Sequence, residues 1–232
     1  MSRILMIAAD PMEFPGLLRH TSGVAPAAIG VDWARSARLG AHHLLLVANG
    51  AGAHRASAAV DAALRAFPAD AIVSTGFCGA LVPEFAIADV IAATAVDAGG
   101  RRFAVLHPAS ASRHHSGVVI STDHVAQTAG EKRQLRATGA SVVEMEAGGV
   151  AERAETRGLP FYCVRAVTDL AGEDMANDFN RALRADGHFG TMKILQGALR
   201  HPLTRLPELI RLRQRCVRAA RALGDFFADC RF

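Results

Sequence analysis

The 232-residue chain is half apolar and carries a formal charge of +4 at neutral pH, which suits one sizeable core and is short for two complete domains. Residues 200–232 hold eight arginines against Glu208, Asp225 and Asp229, a net of +5 that leaves the remainder at −1, so the basicity belongs to a tail and argues against a nucleic-acid partner for the body. The four cysteines stand far apart at 78, 163, 216 and 230 with no CxxC pair or zinc-like spacing to a histidine, which argues against a metal site or disulfide framework and fits reduced thiols in a cytoplasm.

In chain order, the apolar run at 4–9 reads as the first strand. It is closed by Asp10 after about six residues, short of the roughly 7–15 of a signal h-region or the about 20 of a membrane span, so no export or spanning segment is expected. Further strands are predicted over 44–48, 71–75, 86–93, 118–120, 142–143 and 161–167, several of them continuous apolar runs of the kind covered on both faces. Helices are predicted over 14–20, 53–66, 147–157, 174–200 and 206–227. Turns fall at Asn49-Gly50-Ala51-Gly52, at Gly76-Phe77-Cys78-Gly79 and at Arg157-Gly158-Leu159-Pro160, where glycine or proline breaks the pattern. The segment LHPASASRHHSG at 106–117 reads as a mobile loop. This alternation predicts an α/β fold, a three-layer α/β/α sandwich around a central mixed sheet, whose strand ends are where ligands sit. The division expected is a catalytic domain over 1–200 and a basic amphipathic helix over 201–232 that packs on it or extends from it.

The chemistry concentrates in VEMEA at 143–147 and RAVTD at 165–169. They place Glu146 at the start of a predicted helix and Asp169 at the end of the strand that follows. A buried glutamate beside an apolar methionine suits a polyol with one greasy face, such as ribose, and an aspartate at a strand end can serve as general acid. Taken alone, Asp169 reads sooner as a helix N-cap, while the lesser reading of Glu13 is a solvated residue at a helix start. Glu144 reads as structural. Gly76 and Gly79 read as a tight turn with Cys78 as a small buried residue in it, and His114, His115 and His124 as loop residues.

VEMEA followed by RAVTD resembles the purine nucleoside phosphorylase/nucleosidase superfamily, in particular its methylthioadenosine/S-adenosylhomocysteine nucleosidase branch. The segment STGFCGAL at 74–81 resembles the family's glycine-rich turn, and the first strand with Glu13 its opening strand and acidic loop. The resemblance runs over roughly 2–195. It implies that Asp169 protonates a purine leaving group, that Glu13 orients the attacking water, and that Glu146 accepts hydrogen bonds from the ribose hydroxyls while Met145 packs on the sugar. It also implies that Thr168 bonds near Asp169, that Phe77, Cys78 and Gly79 line the substrate, and that the backbone at Val125 and Ala126 touches the base.

The activity implied is hydrolysis of the N-ribosidic bond of a 5′-modified adenosine, without metal or redox cofactor, by a homodimer. Hexameric phosphorylases carry an arginine before the glycine turn and a serine within it, where this chain has Ser74 and Phe77, so water is the expected nucleophile. Arg19, Arg35 or Arg55 reaching in from another element would instead give a phosphorylase, and a non-catalytic nucleoside-binding or membrane-surface module is the third reading. Phe77 and the lack of a base-stacking aromatic near Val125 point to a bulkier or more apolar 5′ group. In the tail, leucines alternate with arginines as in a basic amphipathic helix, which either covers a core or lies on an anionic membrane. That character resembles hopanoid-associated members of the superfamily and would place the protein peripherally on an inner membrane.

Overall fold

The computed structural model describes residues 1–231. Ten strands, β1 (Arg3–Ala8), β2 (Ser22–Pro26), β3 (Trp33–Leu39), β4 (His42–Ala48), β5 (Ala71–Ala80), β6 (Val90–Ala98), β7 (Arg101–Ala104), β8 (His115–Ser121), β9 (Val142–Glu144) and β10 (Phe161–Asp169), form one mixed sheet. The helices are α1 (Pro15–Leu18), α2 (Ala53–Ala66), α3 (Ala129–Arg136), α4 (Ala147–Thr156), α5 (Phe179–Ala182), α6 (Thr191–Leu199) and α7 (Pro202–Ala228), with a 3₁₀ turn at Pro11–Glu13.

Along β1 successive side chains point to opposite faces. Leu5 and Ile7 join α2 and α4 through Ala59, Val60, Val150 and Ala154, while Ile4 and Met6 join α1 and α7 through Phe14, Leu17, Leu223 and Phe227. Both faces are covered, which is why the strand reads as an unbroken apolar run. Helices therefore flank the sheet on both sides, as the expected sandwich requires. Helices α1 and α7 touch at Gly16 and Gly224: a Cβ on Gly16 would collide with the backbone of Ala220, and one on Gly224 with that of Gly16.

The sheet runs β10-β6-β8-β9-β5-β1-β4-β3-β2, and β10 also pairs with β5, so five strands close on themselves. β5 makes this possible: its first half lies parallel between β1 and β10, and its last residues pair antiparallel with β9. The expected turn at 76–79 thus lies within the second half of a ten-residue strand. Gly76, at φ +142°, lets that strand pass directly over the Glu13 carboxylate, and a Cβ at Gly79 would press on Asp169. The glycines are there for close approach rather than for a reversal of the chain.

Other expectations change as well. The helix expected over 174–200 is two short helices, α5 and α6, separated by an irregular segment containing Gly187 and Gly190, where turn chemistry overrides apolar periodicity. The first helix is cut to Pro15–Leu18. The loop at 106–117 is tied down by Asp229, whose carboxylate accepts from the backbone of Ala111 and Ser112 at 2.8 Å each, and its last residues already belong to β8.

Candidate active site

A cleft of about 580 Å³ opens at the ends of β1, β5, β9 and β10. Asp169, Glu13, Glu146, Met145, Thr168, Phe77, Cys78, Gly79, Val125 and Ala126 all line it, although the sequence separates them by as many as 156 positions. They arrive in groups from several elements, with 77–79 in β5, 145–146 after β9 and 168–169 at the end of β10.

Glu13 closes the 3₁₀ turn that begins after the Asp10 cap. Its Oε2 accepts from the backbone of Ala9 and Asp10 at 2.9 Å each, and its Oε1 from Phe77 N at 2.7 Å. It is a helix-start glutamate, but a buried one aimed at the cleft. Burial pushes its carboxyl up to about 7, against the pull of those backbone donors.

Glu146 stands at the N-cap of α4, where Gly52 N donates to its Oε1 at 2.9 Å. Burial, and then the charge of Glu144, push its carboxyl up to about 8. Two carboxyl groups held near neutrality in one cavity are suited to accepting or passing protons at physiological pH.

Glu144 also borders the cleft and organises its floor. Its Oε2 accepts from the amides of Glu146 at 2.9 Å and Ala147 at 2.8 Å, and from Arg165 Nη2 at 2.5 Å. Arg165 is fully buried and also donates to Ser74 Oγ at 2.7 Å. This guanidinium, the one charge in an otherwise apolar stretch of β10, went unassigned in the sequence reading. A signal existed, because a charge inside a buried strand needs a partner, and the Glu144 charge leads the influences that keep it protonated against desolvation.

At the end of β10, Thr168 Oγ1 lies 3.2 Å from Asp169 Oδ1 and 3.3 Å from Cys78 O. Asp169 Oδ2 accepts from Lys132 Nζ at 2.5 Å. Burial holds the Cys78 thiol well above its ordinary range, so it is packing material and not a nucleophile.

The backbone of Val125 is already engaged. Its N–H donates to Asn180 Oδ1 at 2.8 Å and its carbonyl accepts from Asn180 Nδ2 at 2.9 Å. Of the pair Val125 and Ala126, the backbone of Ala126 is therefore the one left for a ligand. His124, expected to be a plain loop residue, borders the cleft between Asp123 and Glu131, whose hydrogen bonds favour its charged form.

The outer wall is apolar and aromatic. Phe179, Phe189, Ile194 and Leu212 contribute to it from α5, α6, α7 and the segment between, together with Met175 and Phe77. Among the described residues, no arginine or lysine lines the cleft. Arg19 is exposed, Arg35 lies over the Trp33 ring, and Arg55 pairs with Asp32 and the Asn49 carbonyl.

The phosphorylase superfamily matches residues 3–112 and 103–188 of the chain. The 5′-methylthioadenosine/S-adenosylhomocysteine nucleosidases of Mycobacterium bovis and Mycobacterium tuberculosis are 33% identical over 89 residues, 38% of this chain and 31% of theirs. The match thus spans about a third of these curated relatives. Among solved structures, the corresponding nucleosidase of Neisseria meningitidis superposes with a TM-score of 0.69 at 19% identity, covering 97% of this chain and 100% of that one. That of Campylobacter jejuni gives 0.72 at 16%, covering 98% and 97%. A futalosine hydrolase mutant from Helicobacter pylori gives 0.69 at 15%, covering 98% and 99%. At these identities the structural likeness speaks for the fold.

Proposed function

The chain belongs to the phosphorylase superfamily, and from that premise we propose that it is a purine nucleosidase that hydrolyses the N-ribosidic bond of an adenosine carrying an apolar 5′ group. The observation that carries this reading is one cavity holding Glu13, Glu146 and Asp169 with Met145 among them, closed on its outer side by apolar and aromatic residues.

In this reading Glu146 accepts hydrogen bonds from the ribose hydroxyls, and Met145 covers the sugar face. Glu13 orients and deprotonates water as the anomeric carbon becomes cation-like. A proton delivered at Asp169, steadied by Thr168, neutralises the departing purine, whose edge meets the backbone of Ala126. Positive charge on the sugar is stabilised by the nearby carboxylates. The same carboxylates, with no arginine or lysine on the lining, disfavour a phosphate nucleophile. The test is adenine release from methylthioadenosine, S-adenosylhomocysteine and an adenosine bearing a long alkyl 5′ group, each with and without phosphate. Release independent of phosphate is expected, strongest for the alkyl compound. Release that requires phosphate would make the protein a phosphorylase, and binding without release a nucleoside-binding module.

A second observation bears on where that substrate is met. The tail does not lie free: Ala219, Leu223, Phe226 and Phe227 of α7 are buried in the core, so removing residues 206–232 would unfold the protein rather than release a membrane anchor. The exposed apolar side chains of this region include Met192, Leu195 and Leu199 on α6 and Leu203, Ile210 and Val217 on α7, with Leu203 91% exposed. Exposed Lys193, Arg200 and Arg211 accompany them, and Phe189 and Ile194 connect this surface to the cleft mouth. Apolar side chains among cations suit an anionic lipid surface. We assign peripheral membrane contact to this hairpin. The triple substitution Met192→Ser, Leu195→Ser and Leu199→Ser should weaken sedimentation with anionic vesicles several-fold while leaving hydrolysis of soluble methylthioadenosine intact. Unchanged vesicle binding would refute the assignment.

A further inference from the structure

Four of the eight residues of α3, AGEKRQLR, are charged, the composition of a solvated helix. Lys132 is nevertheless 0% exposed, and its ammonium donates to Asp169 Oδ2 at 2.5 Å and to Leu170 O at 2.8 Å. A lysine removed from water is costly unless it is paired. A methionine of similar length would occupy the same slot without that cost, so packing alone does not account for a cation here. The charge is spent on the one cleft carboxylate that the proposed reaction needs as an acid.

A carboxylate bonded to an ammonium is in its ionised form, and so has no proton of its own to give. We propose that Lys132 supplies the proton that Asp169 delivers to the leaving purine; the inference rests on the nucleosidase reading above. As the C1′–N bond breaks, its electron pair stays on the purine. A Lys132 N–H breaks to form an Asp169 O–H, and that O–H breaks in turn as the purine N–H forms. Asp169 ends as it began, and Lys132 becomes a neutral amine. Water adds to C1′ and leaves its proton on Glu13, and exchange with solvent after product release restores both groups. Lys132 touches no substrate and is a positioning and proton-supplying residue acting through Asp169.

The charged and titratable neighbours on β5, α7 and β9 do not offer a competing donor. On β5, Cys78 is held protonated by burial. On α7, burial does the same to Cys216, and Arg215 is bound to Glu173 through two hydrogen bonds of 2.6 and 2.8 Å. On β9, Glu144 is engaged by Arg165.

The experiment is adenine release from methylthioadenosine by the full chain and its Lys132→Met and Lys132→Arg variants, from about pH 5 to about pH 9. For Lys132→Met, kcat is expected to fall by ~10²–10⁴ at the alkaline end, the usual worth of general-acid help, with KM within a few-fold. The deficit should shrink toward pH 5, where the more abundant solvent proton can replace the lysine as the source. Lys132→Arg keeps the ion pair, but guanidinium does not release its proton, so its deficit should persist at every pH in a folded protein. Should the methionine variant not fold, the arginine variant alone decides. Rescue of activity by arginine, a methionine deficit equal at all pH values, or no deficit would each overturn the proposal while leaving the nucleosidase reading intact. A parent chain that releases no adenine would overturn both.

Discussion

Asp169→Asn is expected to lower kcat for adenine release by ~10²–10⁴, with KM changed only a few-fold. Asparagine keeps the shape of the side chain and the contact with Thr168 Oγ1, but its amide can pass no proton to a leaving purine. The loss should therefore fall on the step in which the N-ribosidic bond breaks, and not on ribose binding at Glu146. The substitution has a second consequence, because the fully buried Lys132 ammonium would lose its carboxylate. Breaking a buried pair from one side costs about 3–5 kcal/mol. The chemical effect is therefore best isolated in a Lys132→Met background, where asparagine leaves no orphaned charge. Steady-state kinetics on Lys132→Met against Lys132→Met/Asp169→Asn at about pH 5, where solvent protons are abundant, should recover a deficit of ~10²-fold or more. Equal rates there would remove Asp169 from the chemistry.

The largest effect on stability is expected at Arg165. Arg165→Met should cost about 3–5 kcal/mol of unfolding free energy, a fall in Tm on the order of 10 °C for a chain of this size. The reason is the carboxylate left behind. Glu144 is 6% exposed and would be left with only the amides of Glu146 and Ala147 as donors. Activity should fall as well, since Glu144 sets the N-terminal turn of α4 from which Glu146 faces the cleft. Arg165→Met/Glu144→Gln should regain most of the stability, because it removes both charges together. Thermal unfolding of the single and double variants checks this. A double variant no more stable than Arg165→Met would show that the ion pair is not what the core depends on.

Much of the site was legible from local pattern. VEMEA and RAVTD placed Glu146 and Asp169 at adjoining element ends, and helix α2 begins and ends where its alanine-rich periodicity predicts. The missed elements have local causes. β3, WARSARL, mixes arginines among its apolar residues and lies near the sheet edge beside the exposed β2, so it offers no continuous apolar run. β7 is four residues long with two arginines. α3 has so few apolar positions that its helical period is invisible.

What the sequence determined by itself is the class of fold, the two carboxylate-bearing motifs and the apolar faces of strands and helices, because each of these is written in spacing over a few neighbouring residues. The tertiary structure alone decided that Gly76 and Gly79 lie within a strand bent over Glu13 and against Asp169, and that the tail is core while α6 carries the exposed apolar surface. It also decided that Lys132 and Arg165 are buried against Asp169 and Glu144, 37 and 21 positions away. A charge in a sequence looks the same whether water or a carboxylate will satisfy it. Only closure of the sheet, which brings β10 against both β5 and β6, settles which partner it meets.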